Sequence, residues 1–278
     1  MKNWKFVPKN IHVAKYVECY WFLEKEQGDA GNNHPKLNPN PSAHLIISNF
    51  NQKFQYDQDS LSQKGSGNHW IFPHRKTFTM DHSVSFQIIG IKFRVGALYS
   101  LKNSFSSSKL EMVERVDINQ LVDLESFRSE SLLMNAVRNP QQVCDTLDET
   151  LAPWLLKSQA DKHTELVSRI LPLLCSTPIA QIGTVLHRSQ RTIERSFLRV
   201  TDLTLKQCQS MIRLEEILNY LYKLNDKDID WVDLAAKFEF SDQPHLIRHL
   251  KSSIGKTPGE YARQRDLTID IYGDFEFF

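Results

Sequence analysis

No window of the 278-residue sequence approaches the run of about eighteen apolar residues that a membrane-spanning helix needs. The opening stretch, MKNWKFVPKNIHVAKY, has neither an apolar h-region nor a small-residue cleavage site, so no export signal is expected and the cytoplasm is the expected compartment. Cysteine is scarce. Cys19, Cys144, Cys175 and Cys208 stand far apart without a CxxC pair, which argues against a disulfide framework and leaves reduced, mostly buried thiols. Low-complexity tracts are missing, and so is a strong net charge: 34 basic residues face 33 acidic ones, for +1. Global charge therefore announces no nucleic-acid partner. What is present, 41% hydrophobic and 24% charged residues over a length compatible with two domains, is the composition of an ordinary globular protein.

Local charge says more. From His187 to Arg213 six basic residues (Arg188, Arg191, Arg195, Arg199, Lys206, Arg213) stand against Glu194 and Asp202, giving +4. From Lys237 to Arg265 another six stand against three acids, giving +3, and the intervening 214–236 carries −4. Two basic islands flanking an acidic span resemble two contact points on a polyanion more than one solvated face.

Residues 1 to about 115 carry strand signals. AHLIISNF (43–50), WIFP (70–73) and SFQIIGIKFRV (85–95) are rich in Ile, Phe and Val and bounded by the breaker clusters NNHPKLNPNPS and SQKGSGNH. In SFQIIGIKF both alternating sets are largely apolar, which suits a closed or sandwiched sheet. From about Asp117 to Lys157 the pattern becomes helical, with Leu121, Leu124, Phe127 and Leu132 to Met134 on one stripe. Two readings stay open for these helices, closing off the sheet or pairing with a second copy. The polar KSQADKHT (157–164) marks the expected boundary, and beyond it everything reads as helix.

Two segments of this second half each read helix, short turn, helix. In the first, Thr177 is the expected N-cap with Pro178 at the first helical position, and Ile179, Ile182, Val185 and Leu186 form one face. Ser189 caps the next helix, where Ile193, Phe197 and Val200 face inward while Arg191, Arg195 and Arg199 share another face. A guanidinium fork suits guanine O6/N7 and phosphate alike. In the second, Val232, Ala235 and Phe238 are expected inward, Ser241 or Asp242 caps, and Ile247, Leu250 and Ile254 face the core. His245, Arg248 and His249 share the other side; Gly255 and Pro258 terminate that helix. Between the units, residues 205–224 read as one helix of about 30 Å, close to the ~34 Å between successive major-groove faces on one side of B-DNA. This match of lengths, with the basic–acidic–basic pattern, implies duplex DNA as a partner.

The stretch LAAKFEFSDQPHLIRHLKSSIGKTPGEY resembles the signature of the AraC/XylS-type transcription regulators, and SQRTIERSFLRV with MIRLEEILNYL is similar to that family's first unit and linker helix. The resemblance covers about 177–263. YVECYWFLE and GIKFRVGALYSL are weakly similar to a less familiar subgroup, which implies a cupin-like barrel for effector sensing or dimerisation. The expected fold is thus α+β: a β-barrel-like domain with C-terminal helices over 1–157, an all-α domain with two helix-turn-helix motifs over 162–265, and a tail over 266–278. The resemblance puts base-reading positions at Arg191, Glu194, Arg195, Gln243, His245, Ile247 and Arg248. It puts backbone contacts at Ser189, Gln190, Arg199, Lys206, Lys251, Lys256 and Thr257, residues that fix register without reading sequence. It implies promoter DNA, a homodimer, RNA polymerase and a small-molecule effector as partners, with no cofactor and no membrane.

The sequence departs from the family pattern at three places. Asp202 and Glu239 stand where Gly is usual, and Leu205 where Pro is usual, so the end of the first recognition helix is expected to be remodelled and the second turn strained or shifted. An enzyme is the rival reading, because His34, His44, His69, His74 and His82 fall in the barrel region and cupins often hold metal. The spacing is not that of a metal motif; HWIFPH puts His69 and His74 on opposite faces of an extended chain. An alkyl-transfer repair protein would need a Pro-Cys-His-Arg nucleophile, and no cysteine here precedes a histidine. A non-catalytic interaction protein with a vestigial helix-turn-helix domain leaves the arginine row unexplained.

Overall fold

The doubly apolar alternation of SFQIIGIKF places its strand between two packed layers, and the computed structural model, which describes residues 2–29, 32–101, 109–123, 127–222 and 229–254, shows both. The N-terminal half contains β1 (Lys2–Phe6), α1 (Ile11–Ala14), β2 (Val17–Lys25), β3 (Lys36–Leu37), β4 (His44–Ser48), β5 (Lys53–Gln58), β6 (Leu61–Ser66), β7 (His69–Ile71), β8 (Phe78–Met80), β9 (Phe86–Phe93) and β10 (Val113–Arg115). Six strands pair in the order β1-β2-β9-β4-β7-β10, and four in the order β3-β8-β5-β6. Phe86 and Ile88 of β9 turn toward the second sheet and pack with Trp21, Ile46, Tyr56 and Phe78. Ile89, Ile91 and Phe93 turn the other way, onto helices. At the far edge the side chain of Gln63 stitches β6 to the β10 region, accepting from Val113 N at 2.7 Å and donating to Glu111 O at 3.0 Å.

Those helices are α2 (Ile118–Val122), α3 (Ser129–Arg138) and α4 (Pro140–Leu156). The buried stripe Val143, Leu147, Leu151 and Trp154 of α4 seals the six-stranded sheet, so the helices close off the sheet. Leu132 and Leu133 of α3 face inward while Met134 stays exposed; Leu124 lies outside the described residues. Asp148 fixes α4 in place. Its carboxylate accepts from Tyr20 Oη at 2.7 Å and from the backbone N–H of Lys9 and Asn10 at 2.8 Å each.

The second half is helical: α5 (Lys162–Ile170), α6 (Ile179–Val185), α7 (Gln190–Thr201), α8 (Leu205–Tyr222), α9 (Trp231–Lys237) and α10 (Gln243–Ile254). Asp161 begins α5 with a capping box, its side chain accepting from His163 and Thr164 N–H while Thr164 bonds back. The 18-residue α8 joins two separate small cores. Its first turns give Leu205, Cys208 and Met211 to the α5–α7 core, and Leu214, Ile217, Leu218 and Leu221 join α9 and α10. The whole is α+β, a sheet-rich domain followed by two helix-turn-helix units on a shared linker helix.

Candidate nucleic-acid interface

Each unit presents a short helix with its back in one of these cores. In the first, Ile193, Phe197 and Val200 of α7 are buried, which turns Arg191, Glu194 and Arg195 outward and leaves all three exposed. Among the described residues neither arginine has an ion-pair partner. Ser189 caps α7, its hydroxyl accepting from Thr192 N–H. Gln190 is half-buried and donates from Nε2 to Glu194 Oε1 at 3.0 Å, which holds the Glu194 carboxylate against the helix. Lys206 is exposed in the first turn of α8.

Arg199 is placed differently from the other two arginines. It lies at the C-terminal end of α7, where its Nε donates to Tyr99 Oη of the N-terminal domain at 2.9 Å. Tyr99 Oη in turn donates to Asp161 Oδ2 at 3.1 Å.

In the second unit Asp242 is the cap, accepting from His245 N at 2.7 Å, with Pro244 in the first turn where no intrahelical N–H is needed. His245, Arg248 and Lys251 are exposed and Gln243 is half-buried. The core-facing set differs from the expected Ile247, Leu250 and Ile254. Leu246, Leu250 and Ile254, at i, i+4 and i+8, are buried, and Ile247 sits half-buried on the flank between core and outward face. His249 also departs from expectation: it turns toward Phe240, 5.3 Å between rings, and burial lowers its pKa. Helix α9 shows a phase error of the same kind. Leu234 and Ala235 are buried while Val232 is 63% exposed, because a seven-residue helix offers too few turns for periodicity to choose a face.

The helix ends hold three further results. Helix α6 starts one residue later than expected, with Pro178 at the cap position and no side-chain cap bond from Thr177. Asp202 and Glu239 both adopt the left-handed conformation that glycine would take, with φ of 58° and 57°. The end of α7 keeps its left-handed cap, with Asp202 N–H bonded to Leu198 O, so it is not remodelled. Gly255, Lys256, Thr257, Pro258 and the tail 266–278 lie outside the described residues.

Some of the counted positive charge is engaged inside the protein. Arg213 reaches Glu239 at 3.3 Å and lies 5.7 Å from the Phe240 ring, and Lys237 lies over the Tyr220 ring at 4.4 Å. The exposed basic surface is therefore narrower than the sequence count and falls on α7, the start of α8 and α10.

Two histidines of the N-terminal domain, His69 and His74, have both ring nitrogens held by protein groups. His69 bonds Tyr56 Oη at 2.9 Å and Gly67 O at 2.8 Å, and His74 bonds Phe72 O and Asn38 O. Among the described residues no group of three or more His, Cys, Asp or Glu is arranged to hold a metal ion, and no helix is long and apolar enough to cross a membrane.

Residues 182–264 match the model of a helix-turn-helix domain, and residues 6–110 match a domain of unknown function, DUF6597. No curated protein matches the chain. Among solved structures it is similar to a single-substitution variant of apo ToxT from Vibrio cholerae strain SCE256, with 12% identity over 87% of this chain and 97% of that one and a TM-score of 0.49. ToxT from V. cholerae O395 bound to (E)-4-(8-methylnaphthalen-1-yl)but-3-enoic acid is similar at 10% identity, over 94% and 97% of the two chains, with a TM-score of 0.46. The AraC-like transcriptional activator CuxR is similar at 10% identity, over 78% and 86%, with a TM-score of 0.26. The C-terminal region is an AraC-type helix-turn-helix domain.

Proposed function

We propose that the chain is a sequence-specific DNA-binding transcription regulator that inserts α7 and α10 into successive major-groove segments of a promoter. The observation that carries this reading is the pairing of two exposed recognition helices, each backed by its own core, on one rigid linker. At 1.5 Å per residue α8 is about 27 Å long, which suits modules facing adjacent turns of duplex about 34 Å apart. Arg191, Glu194 and Arg195 of α7 and Gln243, His245, Ile247 and Arg248 of α10 read bases. Glutamate accepts from cytosine N4 and arginine donates to guanine O6/N7. Ser189, Gln190, Arg199, Lys206, Lys251, Lys256 and Thr257 position the backbone. In this reading the protein is cytoplasmic and non-enzymatic, with residues 1–157 and 162–265 as its two working domains.

The N-terminal domain dimerises or senses a small molecule. The exposed Met134 and Val137 of α3 offer a surface for a second copy. The sheet interior is filled by Trp21, Phe78 and their neighbours, so an effector finds more room in the cleft of about 680 Å³ between the domains, lined by Tyr16, Lys92, Val95, Leu171 and Glu215. Contact with RNA polymerase is part of the same proposal.

Selection of bound fragments from random duplex DNA tests it, using the parent, Arg195→Ala and Arg248→Ala. The expected result is a motif with two half-contacts about one turn apart, degraded at a different position by each variant. Unselected DNA from every sample, with and without added cell metabolites, would refute it.

A further inference from the structure

The features left unused by base reading gather on the boundary between the two domains. Lys92, at the end of β9, is 3% exposed, and its Nζ lies 2.6 Å from Glu215 Oε1 of α8 and 2.9 Å from Glu18 Oε1 of β2. Glu18 sits where the β2–β9 register slips between Val17 and Cys19, an irregularity of the bulge type, which re-aims side chains. Burial disfavours the ammonium, yet Glu215 and then Glu18 hold its pKa above the ordinary lysine value, so Lys92 stays charged. A buried charge of this kind is strongly dependent on each partner, because removal of one leaves the rest under-compensated.

Other ties cross the same boundary. Thr77 Oγ1 donates to Ser253 O at 2.6 Å and Lys36 Nζ of β3 to Ile254 O at 3.2 Å, so side chains of the N-terminal domain satisfy the last carbonyls of α10. Gly96, at φ +77°, packs so tightly on α7 that a Cβ there would lie 2.7 Å from Val200 Cγ1. Arg199 is engaged with Tyr99. Both recognition helices are thus fastened by their C-terminal ends to the N-terminal domain, and the linker helix between them by the Lys92 ion pair. One of these ties occupies a side chain that would otherwise be free for phosphate.

We propose that the Lys92–Glu215 ion pair is an interdomain latch that holds the two recognition helices in a restrained arrangement of low DNA affinity, which opening of the latch relieves. The affinity clause rests on the DNA-binding reading above; the latch itself does not.

The test uses the full chain with Glu215→Gln and Glu18→Gln. Each removes one negative charge from beside Lys92, but only the first acts across the boundary. Without DNA, small-angle scattering and limited proteolysis over 157–161 should show Glu215→Gln expanded and cleaved about tenfold faster, with Glu18→Gln close to the parent. With a random-sequence 30-base-pair duplex as probe, Glu215→Gln should bind about tenfold tighter, and Tyr99→Phe, which frees Arg199 and also gives up the bond to Asp161, about threefold tighter. Should Glu215→Gln melt early, Thr77→Val removes only the tie to Ser253 and is expected to raise affinity in the same direction. A Glu215→Gln protein as compact as the parent, or indistinguishable from Glu18→Gln, would overturn the latch. An expanded Glu215→Gln that binds more weakly would overturn the restraint and make the latch a device that pre-organises the helices. Expansion with no duplex binding by any variant would support the latch and remove the DNA reading.

Discussion

The indole of Trp21 occupies the space over Gly90, its cross-strand partner, so fully that a Cβ at residue 90 would lie 1.9 and 2.0 Å from ring atoms Cε2 and Cζ2. The glycine is the cavity into which the largest side chain of the sheet interior fits. Trp21 is 1% exposed, with no room to retreat among Leu23, Ile46 and Phe86. Gly90→Ala is expected to destabilise the N-terminal domain by about 3 kcal/mol, at the upper end of overpacking costs. Urea unfolding followed by tryptophan fluorescence checks this; a loss below about 0.5 kcal/mol would mean that the sheets slide apart easily.

Glu239 is held in the left-handed region at φ 57°, a conformation whose steric cost glycine avoids. Its ion pair with Arg213 is a poor offset, since the Glu239 side chain is 75% exposed and such pairs contribute little. Glu239→Gly is therefore expected to raise stability by about 1 kcal/mol, seen as a higher melting temperature. Asp202→Gly should gain less, because aspartate visits this region more readily than glutamate. An unchanged or lower melting temperature for Glu239→Gly would show that the Arg213 contact outweighs backbone strain.

How much of this was legible depended on the range over which each feature is encoded. Strand β9 was readable because eight residues of unbroken alternation announce burial on both sides, and α7 because Ile193, Phe197 and Val200 fix its phase over three turns. The phase of α9 and the inward turn of His249 were not, since one polar residue more or less on a short helix moves the apolar centre by a whole position. Gly90 read as one more member of the alternation, and its meaning depends on Trp21, 69 residues away. The domain boundary was least legible of all. Lys92 and Glu215 are 123 residues apart and Arg199 and Tyr99 are 100 apart. No local period connects them, and a lysine inside an apolar strand looks the same whether it reaches solvent or a partner domain.

On the proposed DNA-binding reading, the outward residues of α7, α10 and the first turn of α8 divide into two kinds of contact with different signatures. Arg195→Ala or Arg248→Ala should each weaken binding to the selected site by about 1–3 kcal/mol and relax preference at one base position. Lys206→Ala or Lys251→Ala should weaken binding to all sequences alike and reduce the slope of log affinity against log salt by about 1. Filter-binding titrations at several salt concentrations separate the two classes. A lysine variant that altered base preference would move that residue into the groove.

Four buried histidines give the N-terminal domain a predictable acid limit. Burial lowers the pKa of His69 to about 4 against a weaker opposing pull from its bond to Gly67 O. Burial and then the charge of Lys25 lower that of His82 to about 4, and Nδ1 of His82 has no partner among the described residues. His44 and His74 shift in the same direction, each mainly through burial. Unfolded histidine titrates near 6.5, so above that pH neither state binds the proton and stability is undiminished. Between about 6.5 and 4 the unfolded chain takes up protons that the folded one refuses, and stability falls with pH until the folded rings titrate. At completion His69 and His82 each contribute a loss on the order of 3 kcal/mol, and His44 and His74 add to it in the same direction. The urea midpoint should therefore drop steeply from pH 7 to pH 5, and His82→Asn should show a shallower drop over the same interval whatever its stability at pH 7. Equal midpoints at pH 7 and pH 5 in the parent would show that these rings are protonated in the folded state, with water or a bound anion beside them.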